Sequence, residues 1–270
     1  MARRLLDCGH ELRVFNRTAS RGDDLTRRGA LQCNTPREAC DGAHAVVSMV
    51  TDDGVLAAKL APDSLAIECS TLSYQWVLEL STKATSQGLR YLDAPVTGLP
   101  DTAAAGELTL LVGADPEHLN MARPLLGAFS KRIIHFGQVG TGTAYKLLVN
   151  MLGAVQIASA AETMAIAERV GLNPRTVADA LGTGQAASPQ VIRNTQRIAD
   201  GDHDRNIVFT PQLRLKDVDY ALALSQQFSI GSLFGKLAGD MFRQLSAANE
   251  NPVNESKVID IARMQPAVEP

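Results

Sequence analysis

Paired cysteines, excess basic charge, membrane-length apolar runs and a glycine-rich phosphate turn are all missing from this sequence. Each absence removes a class of function. Lysine and arginine total 26 against 29 aspartates and glutamates, a formal net charge of −3, so nothing electrostatic calls for nucleic acid or a membrane surface as a partner. The four cysteines, Cys8, Cys33, Cys40 and Cys69, form no CxxC pair and have no histidines at ligand spacing. They read as free thiols in a reducing cytoplasm, with no metal site. No apolar run reaches the length of a transmembrane helix and the start lacks a secretory h-region, so a cytoplasmic protein is expected. What remains is 270 residues, 45% hydrophobic and 20% charged, enough for one or two ordinary globular domains.

The most informative stretch that is present runs Gly142-Thr-Ala-Tyr-Lys146-Leu-Leu-Val-Asn150-Met-Leu-Gly153 and opens a long, alanine-rich apolar segment. On a helix, Lys146 and Asn150 share one face, four residues apart, and Gly153 follows at the next turn. A lysine and an amide aligned beside a glycine on a greasy helix point to a site; a solvated helix lysine is the plain alternative.

Short β-type runs occur at Leu12–Phe15, Ala45–Met49, Leu65–Cys69, Tyr91–Asp93, Leu108–Val112 and Ile133–Phe136, with helical patterning between most of them, as in Ser73–Gln87 and Pro116–Phe129. Such alternation predicts a mostly parallel sheet covered on both faces. After Gly140 the strand signals vanish and the sequence reads as nearly all helix. The expected organisation is an α/β Rossmann-like domain over 1–140 and an all-α domain over 141–270, joined by a helix of about 25 to 30 residues.

The beginning departs from a complete nucleotide-binding unit. Met1 to His10 reads as a helix ending in Gly9, followed by a strand and Asn16-Arg17-Thr18, which is the second half of a dinucleotide-binding βαβ unit. The strand and glycine-rich turn that precede the helix in such a unit are not in the sequence. Either the start lies upstream and Met1 is an internal methionine, or the first strand is missing. The former is favoured, because loss of a central strand leaves two ladders of backbone groups unpaired.

Six segments in order resemble the β-hydroxyacid dehydrogenase family, 6-phosphogluconate dehydrogenase-like proteins that include 3-hydroxyisobutyrate dehydrogenases and glyoxylate/succinic semialdehyde reductases. They are Met1–Thr18, Met49-Val50-Thr51-Asp52-Asp53, Ser70-Thr71, Asp93-Ala-Pro-Val-Thr97-Gly98 with its following turn, Gly142–Asn150, and Phe209-x-x-x-Leu213-x-x-Lys216-Asp217. The resemblance implies an NAD(P)-dependent oxidoreductase that interconverts a small β-hydroxy acid and its aldehyde or semialdehyde, working as a homodimer or homotetramer.

The resemblance makes Lys146 the general acid/base. Beside an oxidised nicotinamide its pKa is expected to fall through desolvation and the positive neighbour. Asn150 would orient substrate or lysine through amide hydrogen bonds. The substrate carboxylate falls to the loop of Thr97, Gly98 and Leu99, where a hydroxyl and glycine-flanked amides suit an anion. Leu99-Pro100 replaces the small residues commoner in the family, adding bulk and removing an amide, which opens the site to a less usual or larger acid. For the coenzyme, Asn16-Arg17-Thr18 offers an arginine and a hydroxyl with no carboxylate, which favours NADP over NAD. Val50, Thr51 and Thr71 are expected at the ribose and nicotinamide, and Lys216 on the cofactor side of the cleft. Asp217 is left as a helix residue with no catalytic task. An imine reductase is disfavoured, because those relatives usually lack the lysine. A different reading is a truncated, non-catalytic remnant serving as a dimerisation or binding module.

Overall fold

The structure, a computed structural model, describes residues 1–51, 60 and 62–266; Asp52 and Asp53 of the third-strand motif lie outside them. The chain divides into two compact units, Met1–Lys146 and Leu147–Pro270, so the division falls inside a helix.

The first unit runs α1 (Ala2–Asp7), β1 (Arg13–Val14), α2 (Asp23–Arg27), β2 (Leu31–Gln32), α3 (Pro36–Cys40), β3 (Ala45–Ser48), β4 (Leu65–Glu68), α4 (Tyr74–Ser86), β5 (Arg90–Asp93), β6 (Val96–Thr97), α5 (Pro100–Ala105), β7 (Leu108–Ala114), α6 (Pro116–Gly127) and β8 (Ser130–Gly137). β1 and β2 form a two-stranded parallel ribbon, and β3 to β8 form a second sheet. β3, β4 and β5 are parallel neighbours, and β8 runs parallel to β7. β7 is antiparallel to β5 and β6, so the mostly parallel sheet that the alternation predicted is mixed around β7.

The Asp-Ala-Pro-Val-Thr segment corrects another expectation, because Thr97 lies in a strand and not in a loop. β5 and β6 pair with β7 in one continuous register, Asp93 opposite Gly113 and Thr97 opposite Thr109. Pro95 interrupts the element because it has no N–H to donate, yet its carbonyl accepts from the Leu111 N–H at 2.9 Å and keeps the ladder in step. The β-branched Val96 and Thr97 suit an extended edge. β2 and β6 escaped sequence detection because two residues are too short to show a period.

The core of this unit has two parts. Ile67, Leu92, Leu108, Leu110, Val112, Leu119, Leu126 and Phe129 close one side of the sheet under α6. Leu72, Val77, Leu80, Ala84, Leu89 and Tyr91 close the other beneath α4.

The helix α7 (Thr141–Arg169) continues without interruption into the second unit, followed by α8 (Pro174–Thr183), α9 (Pro189–Asp200), α10 (Pro211–Gln227), α11 (Leu233–Ala247) and α12 (Val258–Met264). By length and composition α7 is apolar enough to cross a membrane, which corrects the reading of the sequence. Its alanines raise the hydropathy, but Ala154, Ile157, Ala161 and Met164 are fully buried in the second unit's core with Val218, Phe242, Val258 and Ile259.

Five helices, α3, α6, α8, α9 and α10, start on a Thr, Asp, Asn or Ser cap followed at once by proline. The cap oxygen accepts an early backbone N–H, and proline supplies a fixed φ where no N–H is needed.

The start of α7 is held by a buried carboxylate. Asp93 Oδ1 accepts the Gly140 N–H and Oδ2 the Thr143 N–H, each at 2.7 Å. Two glycines permit the approach: a Cβ on Gly113 would crowd Asp93 Oδ1, and one on Gly142 would overlap the Leu111 carbonyl. Burial pushes the Asp93 carboxyl up to about 6, against the pull of its two donors. Because the folded pKa lies above the unfolded one, the folded chain holds this proton to higher pH. Its contribution to stability therefore falls as pH rises from about 4 to about 6. Asp93→Asn must face one N–H with another, and it is expected to cost about 1–3 kcal/mol at pH 7 in a denaturant titration. The same titration repeated across pH 4–6 should show a shallower slope in the variant, the remainder belonging to Glu68, whose carboxyl burial also raises.

Candidate active site

The parallel strands of the first unit end level with one another, Ser48 opposite Glu68 and Glu68 opposite Asp93. Val50-Thr51 and Ser70-Thr71 therefore leave the sheet along one edge, level with Asp93, the carboxyl edge at which such sheets bind ligands. The edge is tied together by side chains. The Val50 N–H donates to Ser70 Oγ at 2.7 Å, the Ser70 N–H donates to Glu68 Oε1 at 2.8 Å, and the Ser48 hydroxyl donates to Glu68 Oε2. Glu68 and Ser70 are buried, Thr71 is half-buried and Thr51 is exposed. Sequence reading passed over Glu68, although a glutamate closing an apolar strand beside serines is a visible signal.

At the end of β1, Asn16 Oδ1 accepts the Thr18 N–H at 2.9 Å. This local turn leaves Arg17 exposed at its centre. Arg17 and Thr18 thus stand at a strand end with no carboxylate in the turn.

The segment expected to hold a carboxylate is partly committed to its own fold. Thr97 is exposed at the end of β6, and Gly98 has φ +139°, a conformation closed to most side chains. The Leu99 N–H is directed at Thr102 Oγ1, 3.4 Å away, and Pro100 has no N–H. The donors left at this corner are the Thr97 hydroxyl and the Gly98 amide.

Lys146 and Asn150 lie one turn apart on the continuous α7, both half-buried. Within the second unit Asn150 is fixed twice. Its Nδ2 donates to Asp217 Oδ2 at 2.6 Å, and its carbonyl accepts from Arg214 Nη1 at 3.0 Å. A carboxylate only accepts, so the contact with Asp217 settles the amide's orientation and turns Oδ1 away from Asp217. Asp217, which the sequence reading left without a task, is fully enclosed and also holds Lys216 Nζ at 3.0 Å. Lys216 lies over the Tyr220 ring as well, so this lysine is engaged within its own helix.

Behind Asn150 stands a buried ion cluster. Arg214 Nε and Nη2 both reach Glu255 Oε2 at 2.7 Å, and its guanidinium stacks on Phe209. Glu255 Oε1 takes Arg193 at 2.9 Å. Gly153 adjoins this cluster: a Cβ there would touch Gln190 Nε2 and Arg214 Nη1. Arg214 and Glu255 were invisible to pattern reading because they lie 41 residues apart.

Comparison with known proteins accords with this arrangement. Residues 1–137 match the NAD binding domain of 6-phosphogluconate dehydrogenase, and residues 140–262 match the domain described as NAD-binding of NADP-dependent 3-hydroxyisobutyrate dehydrogenase. The chain is 34% identical to the NAD-dependent L-serine dehydrogenase of Pseudomonas aeruginosa, over 91% of this chain and 87% of that one. It is 30% identical to the 3-hydroxyisobutyrate dehydrogenase of the same organism, over 90% and 86%. The solved 3-hydroxyisobutyrate dehydrogenase of Mycobacterium tuberculosis with L-serine superposes with a TM-score of 0.86 at 29% identity, covering 97% of this chain and 94% of that one. With a nucleotide-domain sheet, a helical second unit and relatives at this level across nearly its whole length, the chain belongs to the β-hydroxyacid dehydrogenase family of NAD(P)-dependent oxidoreductases.

Proposed function

We propose that this protein is an NADP-dependent oxidoreductase interconverting a small β-hydroxy acid and its semialdehyde, with Lys146 as the general acid/base. The observation that carries the reading is Asn150, held by Asp217 through its Nδ2 one helical turn from Lys146, which leaves its Oδ1 turned away from Asp217. The residues present fit a nicotinamide dinucleotide. The level strand ends with Val50, Thr51 and Thr71 suit its ribose and nicotinamide. Asn16, Arg17 and Thr18, with a guanidinium, a hydroxyl and no carboxylate, suit a 2′-phosphate.

When bound, the dinucleotide supplies or accepts the hydride at the carbon bearing the oxygen. In the reducing direction Lys146 Nζ gives its proton to the carbonyl oxygen; in the oxidising direction neutral Lys146 takes the hydroxyl proton. Asn150 Oδ1 accepts from the ammonium or the substrate hydroxyl and holds that oxygen in line. The Thr97 hydroxyl and Gly98 amide bind the substrate carboxylate, with Leu99 as an apolar wall. Lys216 contributes positive charge on the cofactor side. Relatives named for L-serine and 3-hydroxyisobutyrate support a substrate with its hydroxyl β to a carboxylate. We also propose a cytoplasmic homodimer or homotetramer, in keeping with four unpaired cysteines, three of them buried.

Lys146→Ala should abolish turnover of 3-hydroxy acids while NADPH affinity, read by fluorescence titration, stays within about twofold; retained turnover would remove Lys146 from its role. Arg17→Ala should weaken NADPH about tenfold or more and leave NADH nearly unchanged. Equal losses for both coenzymes would sink the phosphate contact. Asp217→Ala frees the Asn150 amide to rotate and should lower kcat by about 10- to 100-fold with little change in NADPH binding. Unchanged kcat in a folded variant would count against the locked amide.

A further inference from the structure

Lys146, Asn150 and Gly153 follow one another on α7 at intervals of four and three residues, which sets them on one face over consecutive turns. The first two carry the groups that the proposed reaction uses. The third is a glycine in the interior of a 29-residue helix, where it costs helix stability and puts no side chain on that face. The place of that side chain is taken by another element. A Cβ on Gly153 would stand 3.3 Å from Gln190 Nε2. The third polar group on this face of α7 is therefore an amide brought in by α9.

The position and the orientation of that amide are both fixed. Ser188 caps α9 by accepting the Val191 N–H at 3.2 Å, and its hydroxyl donates to Gln156 Oε1 on α7 at 3.1 Å. This ties the start of α9 to α7 one turn beyond Gly153. Two residues after the cap, Gln190 Oε1 accepts from Arg193 Nη2 at 2.6 Å, and the same nitrogen donates to Glu255 Oε1 at 2.9 Å. A guanidinium has only donors, so the Gln190 oxygen must face Arg193 and its NH2 must face away, toward Gly153. Glu255 is fully enclosed and holds Arg193 through one oxygen and Arg214 through the other. One buried carboxylate thus stands behind both the contact at the Asn150 carbonyl and the orientation of Gln190. Among the described residues Gln190 Nε2 makes no hydrogen bond, and the side chain is only half-buried.

We propose that Gln190 is a specificity-determining residue: its Nε2 donates to an acceptor on the α carbon of the substrate. A β-hydroxy acid with an α-hydroxyl is then preferred over one with an α-methyl or an α-ammonium. The inference rests on the reading of Lys146 and Asn150 as the groups at the reacting oxygen. The axial rise from Asn150 to Gly153 is about 4.5 Å, so a group on the neighbouring carbon, and not the reacting oxygen, meets Gln190. An α-hydroxyl accepts from Nε2 and keeps its own proton for another partner. An α-methyl covers the donor without satisfying it. An α-ammonium, with three donors and no acceptor, sets donor against donor. A site with a built-in polar group discriminates most strongly against the analogue that leaves this group unpaired.

The test compares glycerate, 3-hydroxyisobutyrate and L-serine at pH 7 on the full chain, by kcat/KM for oxidation and by Kd from calorimetry. Glycerate is expected to lead each of the other two by about tenfold or more in both measurements. Gln190→Leu, folded by circular dichroism, should erase that lead. Gln190→Glu, which presents only acceptors, should move the ratio toward L-serine by about tenfold. If no acid is turned over, yet glycerate binds more tightly and Gln190→Leu removes the difference, the role of Gln190 stands and the assignment of Lys146 falls. Turnover without any separation of glycerate from 3-hydroxyisobutyrate would overturn the proposal and leave Lys146 in place, as would a folded Gln190→Leu variant that keeps the wild-type ratios. A chain that binds none of the three acids would overturn both.

Discussion

The constraint on which the proposed site rests is the grip of buried acids on α7, Asp93 in the first unit and Asp217 in the second. At its first turn both oxygens of Asp93 take backbone N–H groups that a helix start leaves without intrahelical partners. A little farther on, Asp217 grips the Asn150 side chain and Arg214 grips its carbonyl. In the first unit the grip falls on backbone N–H groups; in the second it falls on a side-chain amide and a carbonyl.

The second cluster shows how burial sharpens this grip. Glu255 is fully enclosed and receives two arginines, Arg193 and Arg214. Enclosing Glu255 and Arg214, with Arg193 half-buried beside them, is costly, and the return is geometric more than thermodynamic. Planar guanidinium forks tolerate little misalignment, so Arg214 reaches the α7 carbonyl along one direction. The Phe209 ring lies against the guanidinium of this arginine.

Much of this was legible in the sequence, for identifiable reasons. The long strands and helices announce themselves by periodicity, and the Lys146–Asn150 pair by helical spacing. The ribbon strand Leu31–Gln32 and the edge strand Val96–Thr97 are too short to carry a period and become strands only through their neighbours. Asp217 was set aside because, read along the helix, it is one more polar residue; its importance comes from a partner 67 positions away. Arg214 and Glu255 share that character. The cap-proline pairs at Thr35-Pro36, Asp115-Pro116, Asn173-Pro174, Ser188-Pro189 and Thr210-Pro211 mark five helix starts in local sequence alone.

The unbroken register of β5 and β6 has a consequence for how this segment can vary. Side chains alternate across a strand, so Asp93 and Thr97, four positions apart in one ladder, project from the same side of the sheet. The carboxylate that seats the helix and the Thr97 hydroxyl are thus linked by parity. Residue types between them can drift, as Leu99-Pro100 just beyond already illustrates. An insertion or deletion of a single residue cannot be absorbed, because it would turn one of the two groups to the opposite face. The number of residues from Asp93 to Thr97 is therefore under a tighter physical constraint than their identities.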